Sequence, residues 1–280
     1  DSFDFNYFSW INELDFNNLN RLCIILLKKE NLISTIFPLY IDNKNRLRFI
    51  NDKHIDSCDI LSNCDFNLEF VLENLNENFN INYIYFENIK DSAHLFKIFN
   101  HQKIKYSFIR SSNKYSDLSF FAGEFPDNDI RYKSKYKTEF RRIKKINSNY
   151  HYEILETKNH EFPKHEILKL RQAMTNDNIR DSKFLSKKML SLLEALFLKN
   201  KLILSVVKID NTYHSCSFIL KVKNNYLFWI DLYDDSKLIN IFNYICFIEK
   251  ISSKIDVNIS FGRGIYNYKI SNFSPKVKEL

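Results

Sequence analysis

Glycine is nearly absent from this chain: three of 280 residues, where about 7% is usual. Loops that wrap a phosphate in backbone N–H groups, of the Walker or dinucleotide-binding kind, need two or three glycines within a few residues. Only Gly262 and Gly264 stand close together, so those loops are excluded and any bound phosphate is held another way. The abundance of Asn, Lys, Ile and Phe reads as compositional drift. Material for a core is plentiful, with 45% apolar and 16% aromatic residues, which excludes a disordered chain. At this length two domains, or one large one, are expected to fold without disulfide or metal staples.

A net charge of +7 favours anionic partners without naming one. The five cysteines form no CxxC pair, and Cys23, Cys216 and Cys246 sit in apolar runs, as in a reducing compartment with no zinc site. His160 and His165 are five apart, which misaligns them on a helix, and the other histidines and acids show no metal spacing. No run of 18 apolar residues occurs and the start lacks a basic region followed by an apolar core. The expectation is a soluble, cytoplasmic protein, peripheral at most to the inner membrane face.

Apolar runs separated by turn residues give the organisation. Residues 21–50 read as three strands, with turns at Lys-Glu-Asn and at Asp42 to Asn45. Asn67 to Leu75 suits a capped helix, residues 81–89 alternate as a strand, Asp91 or Ser92 caps a helix through Phe99, and 104–111 is a further strand. The second half repeats the grammar: a strand at 150–157, helices near 163–174 and 184–199, and strands at 202–209, 213–222 and 226–233. A helix near 238–252 and a strand near 257–261 follow. Aligning LLKKENLISTIFPLY with VVKIDNTYHSCSFIL puts Asn31 and Asn211 in register at an offset of 180. This suggests a duplicated α/β (α+β) unit.

Between the halves, Tyr132, Tyr136, Phe140 and Ile143 trace one helical face in a segment otherwise dense in Lys and Arg, including Arg141 and Arg142. Two readings stand: a solvated linker helix, or a patch that binds phosphates of a nucleotide, tRNA or lipid-linked substrate. Near the C-terminus, Phe261-Gly262-Arg263-Gly264 leads to Tyr266, Tyr268, Lys269 and Phe273. Glycine there permits close approach of a ligand, Arg263 offers a planar fork to an anion, and a phenol serves as acid or anchor. A strand-end turn whose Tyr and Lys cover a sheet edge accounts for the same residues.

Phe-Gly-Arg-Gly followed by Tyr-Lys resembles the C-terminal signature of the CelD/BcsL-like acyltransferases of the GNAT superfamily, related to the FemAB-type transferases. The basic segment before KINSNYHYEIL and the strand YLFWIDLY are similar to corresponding parts of that family, over about residues 5–275. The resemblance implies two GNAT-like units in tandem, with mixed, mainly antiparallel sheets flanked by helices. These are a degenerate unit over 1–125, a basic connecting helix over 126–148 and a catalytic unit over 149–280. It also implies acyl transfer from acetyl-CoA or another acyl-CoA to an amino sugar, a lipid-linked sugar or another cell-envelope precursor, or from aminoacyl-tRNA in Fem-type relatives. The stretch where GNAT enzymes hold the CoA pyrophosphate corresponds to Asp234–Asn243, which contains no glycine and opens with two acids that repel a pyrophosphate.

Within that frame Asp231, on the predicted face of Trp229 and Leu227, and His214, on that of Cys216 and Phe218, are candidate bases. Each also reads as a packing or ion-pairing residue. Tyr268 or Tyr266 would protonate the leaving group, and Arg263, Gly264, Lys269, Arg141 and Arg142 would hold phosphates. A different class, an inactive scaffold binding a polyanion or a protein, stays open. Absence of any zinc-finger, RNP or helix-turn-helix signature leaves nucleic-acid binding resting on charge alone.

Overall fold

A computed structural model describes residues 21–50, 52, 58–79, 81, 83–90, 92–102, 114–120, 138, 141–142, 145, 149–234, 239–252, 257–263 and 276–279. The chain divides into two compact units near Lys114 and Tyr115. The fold is the expected mixed α/β one, with two mostly antiparallel sheets flanked by five described helices.

The first unit contains β1 (Arg21–Lys29), β2 (Leu32–Ile41), β3 (Arg46–Phe49), β4 (Leu61–Ser62), α1 (Leu68–Asn78), β5 (Tyr83–Ile84) and α2 (His94–His101). Its sheet runs β1-β2-β3-β5, with β4 paired to β2. All pairings are antiparallel except β3 with β5, which α1 connects. Phe37, Leu39, Ile41, Leu47 and Phe49 are buried, as are Leu68, Val71, Leu72 and Leu75 of α1. Each such side chain contributes about 1.5–3 kcal/mol on burial. Asn67 caps α1 as expected, accepting from the Phe70 N–H at 3.2 Å. The cap of α2 differs from expectation. Asp59, 35 residues upstream, accepts from the His94 and Leu95 N–H groups at 2.8 and 3.1 Å, a non-local solution that local spacing does not reveal. The predicted strand at 81–89 shortens to two residues, and 104–111 lies outside the described residues.

The second unit contains β6 (Lys114–Phe120), β7 (Tyr150–Leu155), α3 (Lys164–Asn176), α4 (Lys187–Leu198), β8 (Leu202–Ile209) and β9 (Thr212–Val222). It continues with β10 (Asn225–Tyr233), α5 (Ile239–Ser252), β11 (Val257–Arg263) and β12 (Lys276–Glu279). The sheet runs β12-β6-β11-β10-β9-β8-β7, so β6, which precedes the basic segment in sequence, pairs with β11 near the end of the chain. Tyr226, Phe228, Ile203, Ile219 and Phe261 form one buried cluster with Tyr244 and Phe247 of α5. On the opposite face, Phe162 lies between Phe218 of β9 and Phe197 of α4, with ring centroids at 6.5 and 5.6 Å.

The repeat at an offset of 180 holds down to single residues. Lys29 pairs with Leu32, Lys28 with Ile33 and Leu27 with Thr35; likewise Ile209 with Thr212, Lys208 with Tyr213 and Val207 with Ser215. Ser34 and His214 are therefore equivalent bulge residues, each skipped by the ladder. Both two-residue turns are left-handed, with φ of 51° and 65° at Glu30-Asn31 and 48° and 63° at Asp210-Asn211. Asparagine also takes the left-handed place after α3 (Asn178) and α4 (Asn200), positions that glycine usually fills. After α4, the Lys201 N–H closes on Leu196 O at 2.9 Å and that of Asn200 on Phe197 O at 2.9 Å. Among the described residues no helix is long and apolar enough to cross a membrane.

Candidate active site

Strands β10 and β11 run parallel, joined by α5, but their ladder covers only Asn225–Leu227 against Asn258–Ser260. Beyond it β10 continues to Tyr233, and β11 stays with β6, where a register shift lies between Ser260 and Arg263. The two strands thus form a fork, closed at 227/260 and opening toward the C-terminal end of β10. Such a place, outside the carboxyl end of parallel strands, exposes backbone and side chains to a ligand.

A bulge decides what β10 presents there. Phe228 pairs with Ile219, but Ile230 pairs with Phe218 and Asp231 with Ser217. The extra residue changes the parity of the strand. Asp231 therefore shares a face with Phe228 and Tyr226, whereas Leu227, opposite Leu220, faces the other way. The sequence-based face of Asp231, shared with Leu227, is corrected accordingly. This is the face covered by α5, and the Tyr244 hydroxyl donates to Asp231 Oδ2. Tyr244 is itself clamped by aromatic rings, with Phe228 at 4.3 Å and Phe261 at 5.6 Å. Asp231 is half-buried. A carboxylate held there by a phenol is oriented and able to take a proton from a group entering the fork.

Next to Tyr244, Asn243 anchors α5 to the sheet. Its Nδ2 donates to Ser205 O (2.8 Å), Ser215 Oγ (2.9 Å) and Ser217 Oγ (3.3 Å), while Ser205 Oγ donates to its Oδ1 at 2.5 Å. The Tyr152 hydroxyl meets Ser205 Oγ at 2.9 Å. All four members at the centre, Asn243 and the three serines, are fully buried. A network this dry is stabilising only when its groups find partners, and it fixes the helix in one rotation and register. Burial pushes the Tyr152 phenol well up, which keeps it neutral. Burial, with the Asp231 charge adding to it, likewise raises the Cys216 thiol and keeps it unreactive.

His214 occupies the bulge of β9, so it is not simply in line with Cys216 and Phe218: Tyr213 takes the pairing with Lys208. Its Nδ1 lies 2.5 Å from Asp234 Oδ2, and the Asp234 N–H donates to His214 O at 3.1 Å. The pair ties the end of β10 to β9 at the start of the segment leading to α5. Asp231 and His214 are thus held separately, the first by α5 and the second by the strand end.

Of the other predicted site residues, Tyr266, Tyr268, Gly264 and Lys269 lie outside the described residues, and Arg263 is described in its backbone only, as the last residue of β11. Within the basic segment Thr138, Arg141, Arg142 and Lys145 are helical, with Arg141 exposed. Sequence reasoning missed Tyr244, and it named Asp234 and Asn243 only as the ends of a glycine-free stretch, without their partners. Its available signal was a single amide, Asn243, inside the apolar run IFNYICF.

No protein-family profile matches the sequence, and no curated protein matches it. Solved structures do. A conserved protein of unknown function from Bacteroides thetaiotaomicron superposes with a TM-score of 0.61 at 13% identity, covering 91% of this chain and 83% of that one. L-PGS from Bacillus licheniformis gives 0.56 at 10% identity, covering 91% and 82%. FemX gives 0.56 at 7% identity, covering 97% and 89%. The likeness is one of fold. It spans both units.

Proposed function

We propose that the second unit is a transferase that moves an activated acyl group to an amine at the fork between β10 and β11. The observation that carries this reading is Asp231, held by Tyr244 where the two parallel strands part. In such a reaction the amine nitrogen attacks the donor carbonyl, a C–N bond forms and the bond to the donor oxygen or sulfur breaks. Asp231 takes the proton lost by the amine, and Tyr266 or Tyr268 returns one to the leaving atom. The fold supplies orientation, which alone is worth several powers of ten in rate.

The favoured donor is an aminoacyl ester carried on tRNA, with an amino sugar or another envelope precursor as acceptor. Two features support it. The stretch Asp234–Asn243 has no glycine and begins with two acids, and Asp234 is held by His214. Arg141 and Arg142 lie in a strongly basic segment suited to a phosphate backbone. The fold likeness to FemX and to a lysylphosphatidylglycerol synthetase agrees with the choice. Acyl-CoA is the second reading, resting on the Gly262-Arg263-Gly264 signature.

The test is transfer of a labelled amino acid from charged tRNA to amine acceptors, with calorimetric titration of acetyl-CoA alongside. Transfer that falls with salt in proportion to several phosphate contacts, without CoA binding, is the expected result. Micromolar CoA binding that survives moderate salt would move the assignment to acyl-CoA. Neither transfer nor donor binding would overturn the enzyme reading in favour of an inactive scaffold.

A further inference from the structure

Alternation along β1 and β2 sorts their side chains by face. Cys23, Ile25 and Leu27 pair with Leu39, Phe37 and Thr35, and they point toward the core. Leu22, Ile24 and Leu26 point the other way, and they are 57%, 42% and 45% exposed. Leu26 pairs with Ile36, and Ile36 with Leu61 of β4, which is 51% exposed, so the outward row continues across three strands. Past the Ser34 bulge Ile33 joins it, 49% exposed and opposite Lys28. Single exposed leucines are ordinary on a protein surface, but a contiguous apolar stripe on one sheet face marks an interaction site.

Charge says what kind. Over residues 21–41 the chain has Arg21, Lys28 and Lys29 against one acid, Glu30, and all three cations are exposed. The acids Asp42, Asp52 and Glu87 of this sheet are engaged by Arg46 and Arg48. A second copy added strand to strand at the β1 edge is disfavoured. Antiparallel pairing of two β1 strands centred on Ile25 sets Arg21 of one against Lys29 of the other, and like charges directly opposed are destabilising. Of these cations Lys28 stands on the face of the apolar row, opposite Ile33, with Lys29 next to it at the hairpin end. Apolar side chains beside such cations suit a bilayer with anionic headgroups, where the hydrocarbon enters the headgroup boundary and the cations meet the surface potential.

We propose that this face of the β1–β2 hairpin docks the protein on an anionic membrane surface. The proposal goes beyond the transferase reading and does not depend on it. The experiment is co-sedimentation of the full chain with vesicles of phosphatidylcholine alone and of equimolar phosphatidylcholine and phosphatidylglycerol. Binding is expected to the anionic vesicles only, and it should weaken with added salt. Replacing Leu22, Ile24 and Leu26 together by Thr should weaken binding by about tenfold or more. Lys28→Glu with Lys29→Glu should do the same. A circular-dichroism melt checks that each variant folds, and the Lys pair, exposed at the hairpin end, decides the matter if the apolar variant does not. Absence of binding to both vesicles, or equal binding by wild type and the Lys variant, overturns the proposal. So does a wild-type dimer that the apolar substitutions convert to monomer.

Discussion

In the first sheet the strand that follows the hairpin, β3, carries a buried arginine; in the second sheet the corresponding strand, β10, carries a half-buried carboxylate. Both strands pair antiparallel with the hairpin and parallel with a strand reached through a helix. In both units the charged residue lies beyond the last parallel pair: Arg48 directly follows Leu47, which pairs with Ile84, and Asp231 comes four residues after Leu227, which pairs with Ser260. Arg48 is bonded to Asp52 at 2.6 Å and, across the first fork, to Glu87 at 2.9 Å, with its guanidinium 4.7 Å from the Tyr85 ring centroid. Residues of the first unit itself span that fork. In the second, Asp231 meets the Tyr244 phenol from the covering helix. One architecture thus holds an ion-paired cluster in the first unit and a candidate reaction site in the second. The fork's residues, not the fold, make the difference.

Several substitutions sharpen or break this contrast. The largest effect is expected from Arg48→Ala, which strands Asp52, 1% exposed, without its guanidinium. Loss of about 3–5 kcal/mol is predicted in urea unfolding. A loss below about 1 kcal/mol would mean that the first fork is not held by its ion pairs. Asp231→Asn should lower turnover by about 10²–10⁴-fold with a melting temperature close to wild type, since the amide oxygen still accepts from Tyr244. Wild-type turnover in that variant removes Asp231 from the chemistry.

Asn243→Ala comes next. It leaves Ser205, Ser215 and Ser217 without the amide that joins them, at a cost of about 1–3 kcal/mol in the same unfolding assay. The smallest effect concerns Asp42. Burial pushes its carboxyl up, but the N–H groups of Arg46 and Lys44 and the Arg46 guanidinium outweigh this and hold it below the ordinary range. A depressed carboxylate contributes stability that is present above its unfolded value, about 3.9, and is lost as pH falls through the folded value. Asp42→Asn should flatten that acid limb in thermal melts between neutral and strongly acid pH. An unchanged limb would place the acid sensitivity elsewhere.

Much of the fold could be read from the residues because its hairpins are local. Turn residues and apolar runs located β1, β2, β8, β9 and β10, and the offset of 180 anticipated even the equivalence of Ser34 and His214. What stayed hidden depends on distant partners. The pairing of β6 with β11, the capping of α2 by Asp59 and the Arg48 cluster join residues far apart in sequence. The bulge in β10 carries no glycine to mark it, and that single extra residue set Asp231 on the α5 face instead of the predicted one. Of the candidate site, Asp231 and His214 were legible as polar residues inside apolar strands. Their partners Tyr244 and Asp234 were not, since a tyrosine in an apolar helix and an aspartate at a strand end are ordinary features.

The measurement that bears most directly on the contrast between the two forks is hydrogen–deuterium exchange of the full chain, alone and with charged tRNA or acetyl-CoA. With whichever donor binds, amides over 226–233 and 257–262 should gain protection while those over 46–49 and 83–84 do not change. Protection centred on the first fork, or none anywhere with either donor, would contradict the assignment of the site to the second unit.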